Sequence, residues 1–335
     1  MCTSTRLGRS RSEGFHASIQ WSKGPNLSSA EKSAVLLLAH GSPDSPEGIP
    51  EFLRNVTAGR PMSPHVIEEI RHRYELIGGS PLHRITNRQA ELLSERLRSP
   101  VYVGMRNWPP YIPDVVHQMR ADGITRVVAI CLAPQNSRTS VGLYRKALFA
   151  GDDGAMHIDF LESWHDHPLL IEAFAERLRQ SWPAACEEYG AAVPIIFTAH
   201  SVPTRTVEEG DPYERQARET AALMAAATPA LSGPNWRFAF QSQGVASGSW
   251  LGPTVEDTIL ELNSAGHTGV FLQPIGFVCD HVEVLYDIDI AFRKFAAERG
   301  MRLWRAESLN ESPTFVGALA DLARSRITPL AAAHP

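Results

Sequence analysis

Cysteine is scarce in this sequence. The 335 residues hold four, Cys2, Cys131, Cys186 and Cys279, far apart and with no CxxC or CxC pair. That spacing excludes a disulfide scaffold and a zinc ribbon, and it points to a reducing compartment. Long apolar runs are missing as well. Runs such as Ala34–Ala39 fall far short of the roughly 20 residues of a membrane helix. There is no basic excess. A formal net charge of −5 argues against a nucleic-acid-binding face. No Gly- or Gln-rich tract marks a disordered body. GxGxxG, the P-loop, GxSxG and HExxH are all absent. Their absence removes the usual dinucleotide, nucleoside triphosphate, serine hydrolase and metallohydrolase readings.

What is present begins at Ala34. The segment before it, residues 1–33, carries Arg6, Arg9, Arg11 and Lys23 among Ser, Gly and Thr, without an apolar signal core. It reads as a disordered extension, with targeting as the alternative. From Ala34 on, short apolar runs end in Gly, Pro, Ser or His and alternate with longer amphipathic stretches. The runs are Val35–Leu38, Val101–Met105, Val127–Leu132, Ile158–Leu161, Ile195–Thr198, Arg237–Gln241, Val270–Gln273 and Met301–Trp304. Helical periodicity covers 64–76, 85–98, 112–121, 167–180, 212–226, 255–265, 281–299 and 312–324. Doubly apolar runs alternating with helices predict parallel sheets with crossover helices. A faint repeat divides them. The first run closes as Leu-Ala-His-Gly-Ser-Pro at Pro43 and the fifth as Thr-Ala-His-Ser-Val-Pro at Pro203. The predicted fold is therefore α/β, with two similar Rossmann-like lobes, each a four-stranded parallel sheet flanked by helices. Residues 34–165 form the first lobe and 166–330 the second.

In such folds ligands sit beyond the carboxyl ends of strands. His200 lies at such an end, where a base or a ligand is useful, although a turn-forming histidine is the alternative. The segment Gly276–Ile290 is richer still. Asp280 suits a helix N-cap with Glu283 three residues on, a capping-box spacing. Glu283 and Asp287 are four apart and share a helical face, where a carboxylate pair can hold a hard cation or pass protons. Asp289 points elsewhere on a regular helix. Trp250, in a Gly-rich loop, can line an aromatic pocket or anchor the loop. Arg73 and Tyr74 precede Gly78-Gly79-Ser80-Pro81 and offer a guanidinium for a carboxylate.

Nine blocks in order, from about Ala34 to Leu322, give the chain a resemblance to the ferrochelatase family. They include Leu-Ala-His-Gly-Ser-Pro (38–43), Arg-Tyr-Glu-Leu-Ile-Gly-Gly-Ser-Pro-Leu (73–82), Val-Gly-Met-Arg (103–106), Phe-Thr-Ala-His-Ser-Val-Pro (197–203), Trp-Leu-Gly-Pro (250–253) and Gly-Phe-Val-Cys-Asp-His-Val-Glu (276–283). The resemblance implies a porphyrin cleft between the lobes, with the last helix packing back on the first lobe. It implies insertion of Fe²⁺ into a porphyrin with release of two protons, in haem biosynthesis. His200 and Glu283 are the implied catalytic pair, and His200, Glu283 and Asp287 the implied metal contacts. His40, Arg60, Arg73, Ser80, Tyr144 and Trp250 are candidate substrate contacts.

The departures from the family pattern are specific. His40 stands where many relatives carry tyrosine, and an imidazole there either coordinates the inserted iron or bonds to backbone. Asn107 replaces a histidine, Ala291 an acidic residue, and Thr57-Ala58 a pair of arginines found in some relatives. No cysteine follows Cys279, so a 2Fe–2S cluster is not expected. No tightly bound cofactor is expected, and iron is substrate. Both protoporphyrin IX and coproporphyrin III remain open. So do monomer and homodimer. Localisation reads as cytoplasmic, with weak membrane-surface association left open because porphyrins are greasy. The competing readings are a cobalt chelatase of the same fold, with His40 and His200 as paired ligands, and a non-catalytic porphyrin or haem carrier. A bilobed solute-binding protein would need an export signal.

Overall fold

The computed structural model describes residues 32–152, 154–228, 236–244 and 248–327. The expected extension over 1–33 lies outside them except at its last two residues. The first strand, β1 (Ser33–Ala39), is buried on both faces from its second residue on, as a central parallel strand must be. It pairs with β2 (Val101–Met105) and β3 (Arg126–Cys131), and β4 (His157–Leu161) completes a sheet of order β2-β1-β3-β4. The second sheet repeats this plan. Its strands β5 (Ile195–His200), β6 (Trp236–Gln241), β7 (Gly269–Pro274) and β8 (Arg302–Arg305) lie in the order β6-β5-β7-β8. Every pairing in both sheets is parallel. The fold is thus the two-lobed α/β architecture the apolar runs predict, and each run falls within two residues of its strand.

The helices are α1 (Ile49–Val56), α2 (Pro64–Leu76), α3 (Leu82–Leu97), α4 (Ile112–Ala121), α5 (Val141–Gly151) and α6 (Pro168–Tyr189). They continue with α7 (Thr204–Glu208), α8 (Tyr213–Ala226), α9 (Val255–Ser264), α10 (Val282–Leu285), α11 (Arg293–Ala297) and α12 (Pro313–Ile327). Several start with proline in the first turn, where its missing N–H costs nothing. Four helices differ from their sequence patterns, α12 by running three residues further, to Ile327. α3 begins three residues early, directly after Pro81. α6 runs nine residues beyond its pattern and carries Pro183 inside it. The pattern at 281–299 is not one helix. It breaks into α10, a π-helical turn over Asp287–Phe292, and α11. α1, α5 and α7 have no counterpart in the sequence reading.

One hydrophobic core runs through both lobes. Val35 and Leu37 of the first sheet and Ile195 and Phe197 of the second belong to it, with Phe174 and Leu178 of α6 and Phe315 and Leu319 of α12 between them. The Trp164 and Phe315 rings stack at 6.1 Å, and the Trp164 indole donates to the Cys131 carbonyl at 2.9 Å. α12 packs on α3 as well as α6, and Arg324 at its end donates to the Arg96 carbonyl. A shared core of this kind removes far more apolar surface from water than either lobe could alone. It holds the carboxyl ends of the two sheets in a fixed relation.

Candidate functional site

The chemistry-bearing residues gather at those carboxyl ends. His40 follows β1, Arg106 and Asn107 follow β2, His200 closes β5 and Ser242 follows β6. The loop after β7 carries Gly276 to His281 into α10. This loop lies directly on β5: a Cβ on Gly276 would stand 2.8 Å from the Ala199 Cβ. Only glycine permits that approach, which brings Glu283 to His200.

The centre is a carboxylate between two imidazoles. His200 Nε2 lies 3.3 Å from Glu283 Oε1, and His281 Nε2 lies 3.4 Å from Glu283 Oε2. Each histidine is fixed from behind. His200 Nδ1 bonds to the Ser201 carbonyl and His281 Nδ1 to the Cys279 carbonyl, at 3.0 Å for the latter. The Phe277 ring stands between the imidazoles, 6.4 Å from one and 4.6 Å from the other. The backbone is held too. Tyr213 donates to the His200 carbonyl at 2.8 Å. Gln241 donates to the Glu283 carbonyl at 2.8 Å and accepts from Thr198. The His200 and Glu283 side chains remain 30% and 34% exposed, so both can be reached from solvent.

Electrostatics separates the pair's roles. Burial would lower the His200 pKa, but the Glu283 charge and hydrogen bond outweigh it and raise it above the ordinary value. Burial would raise Glu283, yet the two imidazoles hold it well below the carboxylate range. Both shifts favour an imidazolium facing a carboxylate. Asp287 comes next along the row and accepts from the Ser242 hydroxyl. Burial first, and then the Glu283 charge, push its carboxyl up to about 6. Arg73 lies beyond, its guanidinium 5.0 Å above the Tyr286 ring and paired with Glu69. Among the described residues no three His, Cys, Asp or Glu groups converge to hold an ion. His200, Glu283 and Asp287, the metal contacts that the resemblance implies, follow one another along one row, with His200 against Glu283 and Asp287 on Ser242.

His40 has its own environment. Its Nδ1 bonds to the Gly41 carbonyl at 3.1 Å, and Asn107 donates to its Nε2 at 3.1 Å. The Phe52 ring is 5.8 Å away. Burial and then the Arg106 charge lower its pKa to about 4. The imidazole is neutral, with its proton on Nδ1 and its Nε2 lone pair occupied. Stability should respond. Between about 6.5 and about 4 the unfolded chain binds a proton at His40 that the folded chain does not. Stability is therefore lost as pH falls through that window. Urea midpoints at pH 7 and pH 4.5 should lie closer together in His40→Gln than in the parent. An unchanged gap would remove His40 from the acid response.

The other sequence candidates lie at varied distances from this centre. Tyr144 is buried under the Arg106 guanidinium, 5.6 Å from ring to cation. Ser80 is half-buried and accepts weakly from the Leu82 amide at 3.4 Å. Arg60 is exposed and donates to the Thr57 carbonyl, with no recorded contact to the cluster. Trp250 packs its ring over Gly244, where an added Cβ would stand 2.8 Å from it. The capping box is overturned. The α10 cap position is His281, with no side-chain cap bond. Asp280 instead accepts from Ser308 and Asn310, and Glu283 is committed to the imidazoles. His281 is the site residue the sequence reading missed. The signal was its place two residues before Glu283 in a segment that leaves a strand end.

Cys131 and Cys279 are free and buried, and burial pushes the Cys279 thiol up to about 12. No helix among the described residues is long and apolar enough to cross a membrane.

Comparison with known proteins places the chain as a whole. The ferrochelatase family pattern matches residues 32–327. A ferrochelatase of Acidobacterium capsulatum is 56% identical over 318 residues, covering 91% of this chain and 97% of that protein. The coproporphyrin III ferrochelatase of Bacillus subtilis is 33% identical over 310 residues, covering 89% and 99%. Among solved structures, SirB from Bacillus subtilis with Fe³⁺ superposes with a TM-score of 0.56 at 12% identity, covering 88% of this chain and 95% of that one. That likeness is one of fold.

Proposed function

The chain belongs to the ferrochelatase family, and from that premise we propose that the His200–Glu283 pair carries the insertion of Fe²⁺ into a porphyrin bound in the cleft. The observation that supports this most is the pair itself: a carboxylate gripped by two imidazoles, yet open to the cleft. Insertion removes two pyrrole protons and strips water from the ion, so it needs a base, a transient ligand and a route for protons. A neutral imidazole is a suitable base and a borderline-soft ligand for Fe²⁺. Pairing with Glu283 raises the His200 pKa and so favours a proton on the imidazole. A divalent cation arriving at Glu283 competes for the carboxylate that holds that proton and so frees the imidazole. Asp287, titrating at about 6, is placed to take protons onward near neutral pH. The proton displaced from His200 and then the two pyrrole protons that His200 takes up pass by way of Asp287 to solvent, and the iron leaves with the porphyrin as product. No resident cofactor enters these steps.

Candidate porphyrin contacts are Tyr144 and Trp250 as walls, His40 on the first lobe's side of the cleft, and Arg60, Arg73 and Ser80 for propionates. Unpaired thiols fit a reducing cytoplasm. The test is anaerobic Fe²⁺ insertion by purified protein, with coproporphyrin III and protoporphyrin IX offered separately and the visible spectrum followed. Turnover of either supports the proposal, and the faster one names the substrate. Porphyrin binding without iron insertion would replace it with a carrier. Cobalt insertion into sirohydrochlorin alone would replace it with the cobalt chelatase.

A further inference from the structure

We propose that Arg305 is a positioning residue for Glu283, acting as a single cation that pins both ends of the segment carrying the site. The inference rests on the proposed role of Glu283. Arg305 stands at the end of β8, 13% exposed at its side chain. Its Nε and Nη2 donate to the two oxygens of Asp289 at 2.8 and 2.7 Å, a bidentate pair. The same Nη2 lies 3.5 Å from Asp280 Oδ1. Nη1 donates to the Ala306 carbonyl at 2.9 Å. Asp280 precedes Glu283 by three residues and Asp289 follows it by six. Everything the site takes from this segment, His281, Glu283 and Asp287, lies between the two pinned carboxylates.

The remaining bonds reinforce the same reading. Ser308 donates to Asp280 Oδ1 at 2.7 Å and Asn310 to Oδ2 at 2.8 Å. Asn310 also accepts from the Asp280 amide and donates its own amide to the Val278 carbonyl. Residues 305–310 therefore form a fixed rail along which the site segment is attached. Arg293 reaches Asp289 as well, at 3.4 Å, but its side chain is 53% exposed, so its hold is weak.

The π-helical turn over Asp287–Phe292 explains why a strong hold is needed. Such turns are rare and persist where surrounding contacts impose them. Here the turn keeps Asp287 facing Ser242 and Glu283 while Asp289 faces Arg305. Without the guanidinium, Asp280 and Asp289 lose their shared countercharge while still mostly buried, which favours a shift of the whole segment. Arg305 makes no recorded contact with Glu283, so its effect must pass through the backbone between the pins.

A double-mutant cycle in metal insertion tests this. The parent, Arg305→Met, Arg305→Lys, Glu283→Gln and the double variant Glu283→Gln/Arg305→Met are compared across a series of porphyrin concentrations up to saturation, with thermal melts alongside. We expect kcat of Arg305→Met to fall by about 10- to 100-fold while the porphyrin KM moves less than about threefold. Arg305→Lys, which keeps the charge but not the fork, should lie between. In the Glu283→Gln background the same Arg305→Met change should cost less than about threefold. An equal loss in both backgrounds, or an unchanged kcat, would overturn the proposal, whatever the melts show. Should Arg305→Met not fold, Asp289→Asn takes its place in the same cycle. A parent enzyme that inserts no metal would be a different failure, sinking the functional reading and this one with it.

Discussion

Replacing His200 with alanine should lower metal insertion by about 10³-fold, within the range of a lost general base, and leave porphyrin affinity within about threefold. The split follows from where His200 sits. Its Nε2 is 3.3 Å from Glu283 and its side chain is 30% exposed, so it stands at the proposed reacting centre and not in the lobe interiors. The fold should survive the change. The strand beneath it is held by Gln241 and by the Tyr213 bond to its carbonyl, neither of which uses the imidazole. Fluorescence quenching of the porphyrin gives the affinity and the visible spectrum gives the rate. A rate unchanged by the substitution would remove His200 from the chemistry. A parallel collapse of affinity would make it a porphyrin ligand instead.

The position of His200 was within reach of the sequence, because a strand buried on both faces must end at the crevice. Topology alone left a base, a ligand and a turn-forming histidine open there, and it was the family resemblance that paired His200 with Glu283. The i, i+4 spacing of Glu283 and Asp287 put them on one side of whatever helix formed. The strands were legible for the same reason, since Val-, Ile- and Leu-rich runs such as Val101–Met105 have few other places to go. The π turn was not legible. Nothing in Asp287–Phe292 itself forbids a regular helix, and what holds the wider turn is Arg305, 16 positions beyond Asp289 in the chain. The Asp280 cap failed likewise. A capping box is a local option, and here the tertiary partners Ser308, Asn310 and Arg305 outcompete it. α1 was missed because its amphipathic stretch spans only Ile49–Val56, too short for a periodicity to stand out.

Glu283→Gln should cost about 10²-fold in insertion rate, and the double variant with His200→Ala should be scarcely worse than His200→Ala alone. Glutamine keeps the shape and one carbonyl acceptor, so the contact with the imidazoles survives in outline. What disappears is the charge. Without it only the Ser201 carbonyl and the more distant Asp287 charge oppose the effect of burial on His200, whose pKa is raised above its ordinary value chiefly by Glu283. The cation also loses the carboxylate that would draw it toward the porphyrin. If the two residues act as one unit, in which the ion releases the imidazole by engaging the carboxylate, removing either disables the unit. Removing both adds little. Independent roles predict the opposite, a product of about 10⁵-fold. Rates of the parent, both single variants and the double variant, all at saturating porphyrin, decide between these. A multiplicative result would separate the base from the ligand. It would leave Glu283 as an ion contact that works without His200.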